Sequence, residues 1–167
     1  MPALYATAAL SVGCGRVAFD QNASNDPTID AALDAVACPT TYQRICGGCY
    51  TLHDVDFMWG QAESTCEGEG THLVVPDTDV EHSCLLQAAG MPIRMWIGVT
   101  DLRTLGTFSA VTGGAQMYLP WAPGLPDSEL GHNCVEYRVE GWANENCTDV
   151  NRFYCESDGI PVDPTAF

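Results

Sequence analysis

The chain has 167 residues, enough for one domain with extensions or two small ones. Apolar residues make up 46% and charged residues 17%, a globular composition rather than a disordered one. The net charge of -16 comes from 22 acids against 6 bases, dispersed without runs, which excludes nucleic acid and anionic membranes as partners. It leaves basic proteins, metal cations and mineral surfaces open.

Residues 1–37 read as an extension. The apolar segment 2–13 has no Lys or Arg before Arg16, so it is either a signal remnant or the start of the mature chain. Turn chemistry at Asn25-Asp26-Pro27 precedes an Ala-rich helix from Ile29 to Val36, capped by Thr28. No apolar run of roughly 18 residues occurs, so no membrane span is expected.

From Cys38 the pattern becomes that of a folded domain. Tyr42 and Ile45 flank polar residues, and Gly47-Gly48 supplies a tight turn, which predicts a β-hairpin between Cys38 and Cys49. The stretch from Asp54 to Gly70 reads as a helix, with Val55, Trp59, Ala62 and Cys66 on one face. His72–Val75 is a short strand ended by Pro76. A second helix starts at Thr78, with Val80, Cys84, Leu85 and Ala88 on its apolar face and Gly90 at its end. Met95–Val99 is a buried strand.

Thr100 to Pro126 is rich in Gly, Pro, Ser and Thr, with isolated apolar residues at Phe108, Met117, Tyr118 and Trp121. A loop of that length is functional or disordered. Cys134–Val139 alternates as a strand, Glu140-Gly141 turns, Trp142 begins the return, and Arg152–Glu156 closes the sheet. Residues 158–167 form a tail.

Nine cysteines point to an oxidising compartment and a secreted, extracellular protein. Cys46-Gly-Gly-Cys49 has a zinc-knuckle gap, but no second pair follows at finger spacing. Asn22 and Asn146 each begin an Asn-x-Ser/Thr glycosylation triplet. No Ser or Cys nucleophile pairs with a His and an orienting acid, so no enzymatic activity is expected.

The ordered set Cys38-Pro39, Cys49-Tyr50, Trp59, Cys66, Trp96-Ile-Gly-Val-Thr-Asp101, Pro126-Asp127, Asn133-Cys-Val-Glu136, Gly141-Trp142, Cys147 and Phe153-Tyr-Cys-Glu156 resembles a long-form C-type lectin domain over residues 38–157. The resemblance implies an α+β fold: two helices packed on antiparallel sheets, with a long loop excursion. It implies disulfides Cys38–Cys49, Cys66–Cys155 and Cys134–Cys147. That leaves Cys14, Cys46 and Cys84 unassigned. Cys84 reads as a buried thiol on the second helix, and Cys46, near the hairpin turn, as an exposed partner for Cys14. The cysteine left over is then free or in an intermolecular bond.

In sugar-binding members of the family, calcium is held by a loop Glu/Gln-Pro-Asn/Asp step, a later acid, and an Asn-Asp pair after the tryptophan. Here Pro126 and Asp127 match. Leu125, His132 and Ala143 do not, and Asn144 is a neutral substitute. Calcium selects six to eight oxygen ligands, so no cofactor is expected at this position, with Asp127 the one clear donor. The retained Pro126-Asp127 then serves loop architecture.

The expected function is a non-enzymatic extracellular recognition or assembly module, binding a protein, matrix or neighbouring subunit through the loop. The alternative is a lectin that binds glycans through a modified or calcium-free site. The ligand-loop residues are Tyr118, Trp121, Pro126, Asp127, His132 and Asn144.

Overall fold

A computed structural model describes residues 37–90 and 94–167. The expected N-terminal extension with its helix, Cys14 and Asn22 lie outside the described residues. Residues 38–167 form one unit.

The hairpin comes first. Strand β1 (Gln43–Ile45) turns through Cys46 and Gly47 into β2 (Gly48–Met58). Helix α1 (Trp59–Gly68) follows, then β3 (His72–Leu73), α2 (Asp79–Ala89), β4 (Met95–Thr100), β5 (Ser109–Ala110), β6 (Cys134–Arg138), β7 (Gly141–Glu145) and β8 (Val150–Glu156). The main sheet runs β1-β2-β8-β4-β6-β7, with β3 added to β8 and β5 to β4. All pairings are antiparallel except β4 with β8.

The β2–β8 pair joins the first and last parts of the domain and runs from Tyr50↔Glu156 to Met58↔Val150, with a bulge between His53 and Phe57. This corrects the expected first helix, which was to begin at Asp54. Residues 54–58 instead continue β2, and Val55 is 47% exposed rather than part of a helical core stripe. The sheet hydrogen bonds of β2 outweigh a helix period resting on one valine. The helix proper starts at Trp59, where Gln61 Oε1 accepts the Met58 N–H at 3.2 Å.

The second helix starts as expected: Thr78 Oγ1 accepts the Glu81 N–H, and Asp79 and Glu81 occupy the first turn. Its buried face is different. His82, Leu85 and Leu86 point inward, while Val80 is 74% exposed. A Val/Cys/Leu/Ala stripe and a His/Leu/Leu stripe share one helical period, and the larger leucines win the core.

The core is built on fully buried Trp59, Trp96, Trp142, Tyr137 and Phe153. Trp59 Nε1 donates to the Ile97 carbonyl and Trp96 Nε1 to the Phe57 carbonyl, both at 2.8 Å, so neither indole N–H is left unpaired. At Gly98 the backbone of β4 approaches the Leu73 carbonyl so closely that a Cβ would stand 2.5 Å from its oxygen.

Four disulfides staple this frame: Cys38–Cys49, Cys66–Cys155, Cys134–Cys147 and Cys46–Cys84. The last corrects two expectations. Cys84 is neither a buried thiol nor part of the core stripe, and Cys46 is bonded to it rather than to Cys14. The hairpin turn lies against α2, which brings the two Cα atoms to 6.2 Å, within bridging range. Eight of nine cysteines are thereby paired.

Residues 158–167, expected as a tail, pack on the domain. Asp163 N–H donates to the Val111 carbonyl at 2.8 Å, Arg103 donates to the Thr165 carbonyl at 2.7 Å, and Phe167 meets Trp59 edge-on.

Candidate functional site

Between β4 and β6 the chain makes its long excursion, with only the two-residue β5 as regular structure. Aromatic rings anchor it. Trp121 stands 4.6 Å from Phe108 and 6.2 Å from Trp142, edge to face in both cases. The backbone is sewn to β7: Ala122 N–H donates to the Trp142 carbonyl and Trp142 N–H to the Pro120 carbonyl. At Gly141, φ is 127° and a Cβ would lie 2.6 Å from the Pro120 oxygen, so only glycine lets the loop lie this close.

This anchoring opens a pocket of about 490 Å³. Its apolar lining is Leu105, Phe108, Leu119, Trp121 and Leu130. Leu105 and Leu130 are 73% and 91% exposed, unusually open for leucines, and so form an apolar lip. Its polar lining is mostly acidic, with Asp101, Asp127, Glu129, His132 and Asn133. Of the residues expected in the ligand loop, Trp121, Pro126, Asp127 and His132 line this pocket. Asn144 lies beneath it. Tyr118 is drawn away: its hydroxyl donates to Asp79 at 2.7 Å on α2, and its ring stacks edge-on against Trp142. Burial and the Asp79 carboxylate push its phenol well above the ordinary range.

Asp101 and Asp127 are held by protein donors, while the Glu129 carboxylate stands 3.8 Å from His132 Nε2. The Asp127 carboxylate accepts the Glu129 N–H at 3.0 Å and faces His132 Nδ1 at 3.1 Å through both oxygens. The Glu129 backbone bond, then His132 and Asn144, hold its carboxyl below the usual range. Asn144 is 2% exposed. Its Oδ1 accepts the Asp127 N–H, and its Nδ2 donates to Asp127 and to the His132 carbonyl. Deeper in, Asp101 accepts from Asn133 Nδ2 at 2.8 Å and from the Gly106 N–H at 2.6 Å. The Leu125–Pro126 peptide is cis and carries the chain into Asp127.

Side-chain oxygens are few at the positions that match the family's calcium ligands. Leu125 and Ala143 offer no side-chain oxygen, the Asn144 amide is consumed by backbone partners, and an imidazole stands against the Asp127 carboxylate. The polar groups close the loop on themselves.

Asp101, Leu105, Phe108, Leu119, Glu129 and Leu130 were not picked out as site residues from sequence. They sit in irregular backbone with no period to follow, and the only signal was the scatter of isolated apolar residues. Asn146 is exposed, and its Oδ1 accepts both the N–H and the hydroxyl of Thr148.

The domain is a disulfide-stapled sheet carrying two helices and one long loop. The Lectin C-type domain family matches residues 56–157, and the chain belongs to that family. Human asialoglycoprotein receptor 2 is 32% identical over 126 residues, covering 71% of this chain and 40% of that protein. Mouse CD209 antigen-like protein C is 27% identical, covering 74% of this chain and 71% of that protein. The chain thus spans about half or less of the length of the asialoglycoprotein receptors it matches. Among solved structures, the human scavenger receptor C-type lectin carbohydrate-recognition domain superposes with a TM-score of 0.68 at 26% identity, covering 73% of this chain and 99% of that one. Herring type II antifreeze protein shares the fold, with a TM-score of 0.67 at 23% identity over 75% of this chain and all of that one.

Proposed function

We propose that this domain is an extracellular, non-catalytic recognition module that binds a protein segment through the loop pocket, without calcium. The observation that carries this reading is the pocket's lining: exposed leucines and a tryptophan together with Asp101 and Asp127, whose carboxylates already accept protein hydrogen bonds. Such a surface suits an apolar side chain flanked by Lys or Arg, since the chain's charge of -16 attracts basic partners and repels acidic ones. Four disulfides support an oxidising, extracellular setting. Among the described residues no helix is long and apolar enough to cross a membrane.

A second reading is a glycan-binding lectin with a calcium-free site. The relatives favour it, being named as an asialoglycoprotein receptor and a CD209 antigen-like protein. So does Trp121, a half-buried indole in the pocket wall on which a sugar ring can stack.

A displayed peptide library and a glycan array, each probed in calcium and again in EDTA, separate the two. The expected result is selection of basic-apolar peptides, unchanged by EDTA and weakened by Leu130→Asp or Trp121→Ala. Glycan binding that disappears on chelation overturns the proposal. Glycan binding that persists in EDTA, without peptide binding, replaces it with the second reading.

A further inference from the structure

We propose that Asp127, Glu129 and His132 form a binding site for a borderline divalent transition cation, zinc above all, at the edge of the loop pocket. The three residues each bring a ligand atom within 4.8 Å of the other two. His132 Nδ1 is 3.1 Å from both Asp127 oxygens, and Nε2 is 3.8 Å from Glu129 Oε2. A tetrahedral ion with bonds of about 2.0–2.2 Å holds its ligands roughly 3.3–3.6 Å apart, so small side-chain shifts complete the set.

The imidazole distinguishes this cluster from an acidic surface patch. Its side chain is only 18% exposed, and a carboxylate faces each ring nitrogen. Loading the ion uses one ring nitrogen and turns both carboxylates from their contacts with the ring onto the metal. The backbone of the site is prearranged: Asp127 is seated on buried Asn144, and His132 N–H donates to the Glu129 carbonyl at 3.2 Å. Glu129, 71% exposed, is free to swing onto the ion.

The donor set chooses the metal. One nitrogen and two carboxylates suit zinc, nickel or copper, whereas calcium and magnesium seek all-oxygen shells of six or more ligands. Leu125 and Ala143 remove the oxygens such a shell needs. Three protein ligands leave one coordination position, which water completes.

The test uses the full chain, stripped with EDTA and with any free thiol alkylated, titrated calorimetrically with zinc, nickel and calcium chlorides. Zinc is expected to bind one-to-one in the micromolar range and raise the unfolding temperature, with no calcium effect at millimolar concentration. His132→Ala should weaken zinc at least about tenfold, and Glu129→Gln should weaken it measurably while leaving an exposed position's folding untouched. His53→Ala serves as control: His53 also lies beside an acid, Glu69, but the third member of that group, Cys155, is bonded to Cys66. Zinc binding retained in both His132→Ala and Glu129→Gln, calcium binding as tight as zinc, or no zinc binding below about 1 mM each overturns the site. The readout is metal alone, so it fails or succeeds separately from the peptide and glycan experiments.

Discussion

Asn144 gathers the loop by hydrogen bonds alone. In a calcium-bound loop, charge on the metal would gather the oxygens. Here a buried amide does so with hydrogen bonds, donating to Asp127 and to the His132 carbonyl while accepting the Asp127 N–H. Truncation leaves a buried N–H and a carbonyl without partners, each costing about 1–3 kcal/mol. Asn144→Ala is therefore expected to lower the unfolding free energy by about 2–4 kcal/mol, measured by urea denaturation. Asn144→Asp should be worse than a conservative exchange suggests, because a carboxylate cannot donate and would face Asp127 at hydrogen-bond distance. A loss below about 0.5 kcal/mol for Asn144→Ala would show that the loop is held by other means.

At the scale of elements, the Cys46–Cys84 bridge ties the β1–β2 turn to α2. It spans 38 residues, and in the chain-entropy description such a crosslink contributes about 3–4 kcal/mol by restricting the unfolded chain. Cys46→Ala combined with Cys84→Ala should cost about 2–4 kcal/mol in chemical denaturation and speed tryptic cleavage at Arg44 in the loosened hairpin. An unchanged midpoint and cleavage rate would mean that packing alone seats the turn. This bridge was not legible in the sequence, and neither was the true face of α2: both depend on which side of a helix meets a distant turn, and Val80 and Leu85 fit the same period. The strands and staples were legible for the opposite reason. Trp59, Trp96, Trp142 and the six family cysteines are bulky or covalent features whose order tolerates little change. The helix start was misplaced because a strand running to Met58 needs β8, about ninety residues away, to reveal itself. Asp127 and His132 could be found through their motif, but the leucine lip of the pocket belongs to irregular backbone, where side-chain direction follows tertiary contacts only.

Across the whole molecule, acidity is the dominant property, and part of it is buried. Glu63 is 2% exposed; its Oε2 accepts the Leu73 N–H at 2.9 Å, but Oε1 has no partner. Burial pushes its carboxyl from an ordinary 4.5 up to about 7. Burial raises Glu156 in the same direction, opposed by the Val75 N–H. Between pH 4.5 and 7 the folded protein keeps protons that the unfolded chain has released, so these groups destabilise the fold as pH rises. The loss for Glu63 amounts to about 3 kcal/mol above pH 7, from about 1.4 kcal/mol per pH unit. The surplus of acids adds self-repulsion in the same direction, screened by salt. His82 works the other way: burial lowers its pKa below 6.5, so it favours the fold as pH rises to 6.5 and has no effect beyond. Two carboxyls against one imidazole leave the domain more stable at pH 5 than at pH 8. The sharper measurement compares Glu63→Gln with the parent, since glutamine keeps the Leu73 hydrogen bond and cannot ionise. The variant's advantage in urea denaturation should grow from pH 5 to about pH 7 and level off above about 7.5. A difference that stays constant with pH would mean that Glu63 titrates in the fold as it does in the unfolded chain, with burial opposed by polar contacts to its second oxygen.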